Sequence, residues 1–116
     1  MFESVFQKLE EGIPGFRAAS VVGGDGIEVE SHVNDTLPHD VLSAELNAVV
    51  RNLDRLKDEI GLGRLEEIAL RTESENIFMA RLSPDLALLV VTQRSEVTGR
   101  TRYQIQRMAH QFIERI

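Results

Sequence analysis

Between positions 39 and 60, apolar residues recur every three or four positions, and this spacing predicts one long amphipathic helix. The residues are Val41, Leu42, Leu46, Val49, Val50, Leu53, Leu56 and Ile60. Pro38 suits the start of a helix, where the missing N–H would have no partner, and Gly61 suits its end. Because strand-like segments lie on both sides of this helix, we expect its apolar face to pack on the core of the chain.

The opposite side of this helix carries small and charged residues. They are Ala44, Asn47, Ala48, Arg51, Arg55 and Asp58. Two alanines one turn apart let another backbone come close, and the charges beside them can set the register of a contact. This side is interpreted either as a solvent-facing surface or as a helix-to-helix contact. In an antiparallel pair of two copies, the arginines of one helix would face Asp54 or Asp58 of the other, as in a two-fold dimer.

Two more helices and five strands are predicted around the central helix. The helices span about residues 2–12 and 97–116, and the strands span about 16–22, 27–33, 64–74, 77–82 and 86–93. Short turns between strands predict a mainly antiparallel sheet, which three helices can cover on both faces. The fold class is therefore α+β, in the order α-β-β-α-β-β-β-α. The last strand is continuously apolar, which places it in the interior of the sheet.

Two of the strands carry the pattern of a sheet edge. In residues 27–33, apolar and charged residues alternate, so one face of that strand is expected to be wet. The third strand places Leu65, Ile68 and Leu70 among charged neighbours. Because an open edge there invites pairing with another chain, these three residues join the candidate interface.

Length and charge limit the possible partners. A chain of 116 residues is long enough for one domain with a core and too short for two, so residues 1–116 are interpreted as a single domain. The net charge of −6 argues against non-specific binding to nucleic acid or to anionic membranes. No stretch is apolar for long enough to span a membrane. The basic run between Arg94 and Arg107 is interpreted as a solvated face, with an acidic partner as the alternative.

No group of residues in the sequence matches a catalytic or cofactor site. The cluster VVGGDGIEV runs into a strand with no lysine after it, which favours a hairpin turn over a phosphate-binding loop. His32, His39 and His110 are too scattered to predict a metal site. The chain has no cysteine, which excludes thiolate chemistry and fits a cytoplasmic protein. We therefore predict no cofactor, no metal and no enzymatic activity.

Three stretches together make the sequence resemble a Roadblock-type domain. They are IPGFRAASVVGGDGIEV, the long central helix after SHVNDTLPHD, and IFMARLSPDLALLVV. The resemblance covers essentially the whole chain, and the first stretch is the most specific. The family includes the dynein roadblock light chains and bacterial partners of Ras-like small GTPases.

The resemblance implies a profilin-like sandwich, with a five-stranded antiparallel sheet between one helix on one face and two on the other. It implies a homodimer, or a mixed dimer with a relative, in which the third strands join and the central helices lie side by side. It also implies that a small GTPase docks on the dimer. The implied dimer or partner contacts are Ala44, Asn47, Ala48, Arg51 and Arg55. In some bacterial relatives the dimer stimulates hydrolysis by ordering the GTPase's own catalytic groups, without an arginine finger.

Three functions follow from the residues and the resemblance taken together. The first is a non-enzymatic dimeric regulator of a Ras-like GTPase, which would bind one nucleotide state more tightly than the other. The second is a scaffold that binds its partner whatever the nucleotide. The third is a small-molecule sensor, with a cavity lined by Phe16, Phe78 or Phe112.

Overall fold

The computed structural model describes residues 1–33, 36–94 and 98–116. Its elements are α1 (Glu3–Gly12), β1 (Phe16–Gly23), β2 (Glu28–Val33), α2 (His39–Asp54), α3 (Leu56–Glu59), β3 (Glu67–Arg71), β4 (Glu75–Ser83), β5 (Leu86–Gln93) and α4 (Thr98–Glu114). The sequence also predicts a loop over residues 34–36, before the central helix. Asn34 and Asp35 of this loop, and Val97 at the predicted start of the last helix, lie outside the described residues.

The five strands form one antiparallel sheet in the order β2-β1-β5-β4-β3. The prediction that the strand from Leu86 lies in the interior is confirmed, because β5 pairs with both β1 and β4. The two strands with an edge pattern, β2 and β3, are the two edges of the sheet. Each of these strands pairs with one neighbouring strand only, and the charged residues in both sequences fit this partly exposed position.

Helices cover both faces of this sheet, which confirms the α+β class and the element order. On one face, α1 and α4 pack together, and the ring centroids of Phe6 and Phe112 lie 5.1 Å apart. The core on this side also includes Val5, Leu9 and Leu88, which are fully buried. On the other face, α2 closes a smaller core.

The apolar face of α2 is narrower than the sequence predicts. Leu46 is buried, and Leu42 and Val50 are half-buried against the same core. The expectation that Val41, Val49 and Leu53 pack inward is wrong, because they are 59%, 42% and 38% exposed. A helix that lies alone on a sheet touches it along one line, so residues at the margins of a wide apolar stripe stay outside.

The predicted helix over residues 39–60 is also interrupted. The regular helix α2 ends at Asp54, and one further turn, α3, follows Arg55. Ile60 comes after this turn and is exposed, which corrects its assignment to the core. Gly61 has φ +68°, as expected for a glycine that ends a helix. The spacing of apolar residues in the last helix also predicts an inward stripe that includes Ile113 and Ile116, and this is wrong for these two residues, which are exposed.

Strand β2 turns its charged residues toward the helices. Ile27 and Val29 are exposed, whereas Glu28 and Glu30 are half-buried. The carboxylate of Glu30 accepts the backbone N–H of Phe2 at 2.9 Å, at the start of α1. Glu30 therefore faces α1 and Glu28 faces α2, on opposite sides of the sheet, because the register of the β1–β2 pair shifts between them.

The carboxylate of Glu28 anchors the start of α2. The hydroxyl of Ser20 on β1 donates to it, and His39 Nδ1 lies 2.7 Å from Glu28 Oε2. Ser43 Oγ lies 3.4 Å from the same oxygen. Ser20 is fully buried, so this carboxylate accepts from a hydroxyl that water does not reach, whereas the hydroxyl of Ser43 donates to the carbonyl of His39 at 2.9 Å.

Replacing Glu28 by alanine is expected to lower the free energy of unfolding by about 1–3 kcal/mol, since the buried hydroxyl of Ser20 loses its acceptor and His39 loses its carboxylate partner. Denaturant unfolding measures this change. The control is Glu73→Ala, an exposed turn position, where the expected change is within about 0.5 kcal/mol. A cost for Glu28→Ala as small as that of the control would mean that the Glu28 network does not hold α2.

Candidate interaction surface

The outer side of α2 carries the small and charged residues that the sequence groups together. Ala44, Ala48, Arg51 and Arg55 are all exposed. In a helix these positions follow one another at three- or four-residue spacing, so they form one continuous strip. The two alanines leave a shallow stretch in the first half of this strip, and the arginines follow it.

The two arginines are oriented by contacts within the chain. Arg51 Nη2 donates to the carbonyl of Gly24, in the turn between β1 and β2, at 3.0 Å. Arg55 Nη2 donates to Asn52 Oδ1 at 2.7 Å. Each guanidinium keeps further N–H groups directed to solvent, since both residues are exposed.

Two of the predicted contact residues lie elsewhere. Asn47 is half-buried beneath the β1–β2 turn, and a Cβ added at Gly26 would meet its Cβ at 3.1 Å. Asp58 is exposed but belongs to α3. Asp54, expected to face an arginine of a second copy, instead pairs with Arg81 of its own chain at 3.0 Å. Asp58 is therefore exposed just after the strip of Ala44, Ala48, Arg51 and Arg55, whereas Asn47 and Asp54 contact their own chain.

Edge strand β3 presents the second part of the surface. Among the described strands, β3 pairs only with β4, so its other side is open. Leu70 on β3 is 40% exposed and Ile68 is half-buried. Leu65 precedes the strand, and its backbone N–H donates to Asp54 Oδ1 at 3.4 Å. Ile68 and Leu70 therefore lie on the open edge strand, and Leu65 lies just before it.

Sequence reasoning missed the apolar part of the α2 surface. Val41, Val49 and Leu53 were assigned to the core, yet they are exposed on the same helix as the small-residue strip. With Leu70 they make a set of exposed aliphatic residues on α2 and β3. The available signal was the width of the apolar stripe, which exceeds what one helix can bury on a sheet.

Comparison with known proteins assigns the family. A sequence model of the Roadblock/LC7 domain matches residues 1–92. The chain belongs to the Roadblock/LC7 family. Among curated proteins, none is a significant sequence match.

Solved structures agree with this Roadblock assignment. MglB of Myxococcus xanthus is similar, with a TM-score of 0.83 and 14% identity over 96% of this chain and 90% of that chain. A structure described as MglB with a tetrameric arrangement gives a TM-score of 0.81 and 17% identity over 97% and 88% of the two chains. MglC of Myxococcus xanthus gives 0.73 and 22% identity over 99% and 98%. The fold is the profilin-like Roadblock sandwich.

Three further features of this Roadblock domain concern metal ligands, membrane spans and the glycine cluster. In the part of the chain that the structure describes, no three His, Asp or Glu residues are grouped as metal ligands. Within the same ranges, no helix is long and apolar enough to cross a bilayer. The glycine cluster forms the β1–β2 turn, in which the N–H of Gly23 donates to the carbonyl of Ile27 at 2.9 Å.

The aromatic residues suggested for a sensor cavity lie mainly in the core. Phe16 and Phe112 are buried in the layer of α1 and α4, and Phe78 borders a small depression of about 210 Å³. A larger groove of about 450 Å³ lies on the α2 side of the sheet and is lined by other residues.

Proposed function

We propose that this Roadblock domain is a non-enzymatic, cytoplasmic, dimeric regulator of a Ras-like small GTPase. The observation that carries the proposal is the exposed aliphatic and small-residue surface of α2 beside the open edge of β3. Exposed apolar residues that cluster on adjoining elements mark interaction sites more often than isolated ones do. Membership of the Roadblock family, which includes partners of Ras-like GTPases, supports the choice of partner.

In the proposed dimer, the β3 strands of two copies pair and the α2 helices lie side by side. Pairing at β3 would supply partners for backbone groups that the open edge leaves to solvent. The two alanines allow the helices to approach closely, and Val41, Val49 and Leu53 would become covered. The proposed interface comprises Ala44, Ala48, Arg51, Arg55, Asp58, Leu65, Ile68 and Leu70, with Asn47 supporting α2 from beneath. The tetrameric arrangement described for an MglB structure supports self-association within this fold.

The GTPase would dock on the paired helices and act as the switch. A regulator shifts the equilibrium between two states only by binding them with different affinity. Contacts from the dimer would order the GTPase's own catalytic groups, and the effect on hydrolysis would be positional and electrostatic. Arg51 and Arg55 would contribute to docking, since both are already held by contacts to their own chain.

A pull-down experiment tests this function: the immobilised domain is incubated with lysate of its source organism, once with a GTP analogue and once with GDP. We expect a small GTPase to be retained with a GTP analogue or with GDP, but not equally with both. Purified GTPase would then be assayed for hydrolysis with and without the domain. Equal retention in both nucleotide states would support the scaffold function instead, and retention of no GTPase would contradict the proposal.

A further inference from the structure

The groove on the α2 side of the sheet lies at the end where the strands turn. Its volume is about 450 Å³, including the part open to solvent. Val50 of α2 and Met79 of β4 are among the aliphatic residues that line it, together with Leu65 and Ile68. Gly23 and Gly24 form one wall and contribute no side chain, which leaves the space open. Because that volume includes open solvent, the enclosed part of the groove is apolar and has room for one aliphatic side chain of a partner.

One arginine fixes the walls of the groove. Arg81 Nε donates to the carbonyl of Leu65 at 2.9 Å, and Nη1 donates to the carbonyl of Pro84 at 3.3 Å. Its Nη2 donates to Asp54 Oδ2 at 3.0 Å. These bonds tie the end of α2, the approach to β3 and the β4–β5 turn to one guanidinium. Because these bonds already order the walls of the groove, little conformational entropy of the walls is lost when a ligand binds.

The wall that the β1–β2 turn forms is held by α2. Arg51 bonds the carbonyl of Gly24, and Asn47 packs against Gly26 in the same turn. The β1–β2 turn is thus fixed to the helix, and it lies beside the β4–β5 turn, since Gly23 pairs with Leu86.

The rim of the groove is acidic. Glu66 and Asp85 are exposed and line the groove. The nearest cation to Glu66 is Arg64, at 3.6 Å, and both side chains are exposed. Arg81 also lines the groove, but each of its three guanidinium nitrogens donates within the chain and Asp54 pairs with its charge, so it attracts an anionic ligand less than an unpaired arginine would. The charges at the rim favour a cationic occupant.

We propose that this groove binds a segment of a partner protein in which an aliphatic side chain stands next to lysine or arginine. The aliphatic side chain enters between α2 and the sheet, and the basic residues lie over Glu66 and Asp85. The site adjoins the proposed dimer surface, with Leu65 and Ile68 common to both, but opens on the Asn47 side of α2. It adds a second recognition site to the proposed function and does not depend on the GTPase.

Gly24→Leu blocks the groove with little strain. A Cβ at Gly24 meets only the carbonyl oxygen of Asp85 within 4 Å, at 3.9 Å, and Gly24 has no positive φ. The matched control is Gly12→Leu, because a Cβ at Gly12 has no neighbour within 4 Å and α1 lies on the other face of the sheet. Asp85→Lys is a second variant, on an exposed turn, that reverses the rim charge without filling the groove.

The test is a titration followed by backbone amide NMR shifts, with three capped pentapeptides: GKLKG, GELEG and GKGKG. We expect GKLKG to shift the amides of residues 23–24, 65–68 and 85–87, and the other two peptides to bind at least roughly fivefold more weakly. Gly24→Leu and Asp85→Lys are expected to abolish or weaken these shifts, and Gly12→Leu to preserve them.

Three results would overturn the proposal. They are equal binding of GELEG, shifts that survive Gly24→Leu, and the absence of any shift with GKLKG at millimolar concentration. Loss of self-association in Gly24→Leu would assign the groove to contact between copies, and would also overturn it. None of these results bears on nucleotide-dependent binding of a GTPase, so the two proposals fail separately.

Discussion

Replacing Ala48 by arginine is expected to convert the proposed dimer into folded monomers. Ala48 is exposed at the middle of the α2 strip, so a longer side chain leaves the core of the domain undisturbed. Across a two-fold axis every substitution occurs twice, and two arginines would meet where two methyl groups did. Bulk and like charge together are expected to raise the dissociation constant at least about 100-fold.

Sedimentation at several protein concentrations measures this effect. The control is His110→Arg, which adds the same side chain at an exposed position of α4, on the other face of the sheet. We expect this variant to associate as the unchanged chain does. If Ala48→Arg remains dimeric at low micromolar concentration, the α2 strip is not the interface between the two copies.

Leu9→Ala is expected to cost about 2–5 kcal/mol of the free energy of unfolding. Leu9 is fully buried in the core between α1, α4 and the sheet, so its removal leaves a cavity among aromatic and aliphatic side chains. Leu53→Ala makes the same chemical change at a position that is 38% exposed, and we expect it to cost about 1 kcal/mol. The difference between the two variants tests which leucines form the core.

Denaturant unfolding of both variants should be carried out in the Ala48→Arg background, so that self-association does not add to the stability of either. A two-state transition is expected for a domain of this size, and the midpoints can then be compared directly. Equal costs for the two substitutions would mean that Leu53 is packed inward, as its place in the apolar stripe first suggests.

The sheet order could be predicted in part because its signals are local. The unbroken apolar run from Leu86 requires neighbours on both sides, whereas the charged residues around Leu70 tolerate an open edge. Gly61 marks the end of the helical region for the same kind of reason, since its positive φ is a property of one residue. The position of α1 follows equally from its own apolar face.

The details of the surface depend on contacts between distant residues, and the sequence does not encode these in a readable pattern. Nothing near Asp54 indicates that Arg81 will hold it, and nothing near Glu28 indicates that Ser20 and Ser43 will surround it. The sequence also does not show which apolar residues of α2 face the core, because an apolar residue that faces a partner is of the same type as one that faces the core.

The measurement that tests the central claim most directly is the affinity of the unchanged domain for its purified GTPase in the two nucleotide states. The domain is titrated calorimetrically into GTPase loaded with a GTP analogue, and then into GTPase loaded with GDP. The two titrations give the two dissociation constants. The account predicts that they differ at least about tenfold, a difference of about 1.4 kcal/mol in coupling free energy. Equal dissociation constants would contradict regulation of the switch and leave the domain as a scaffold.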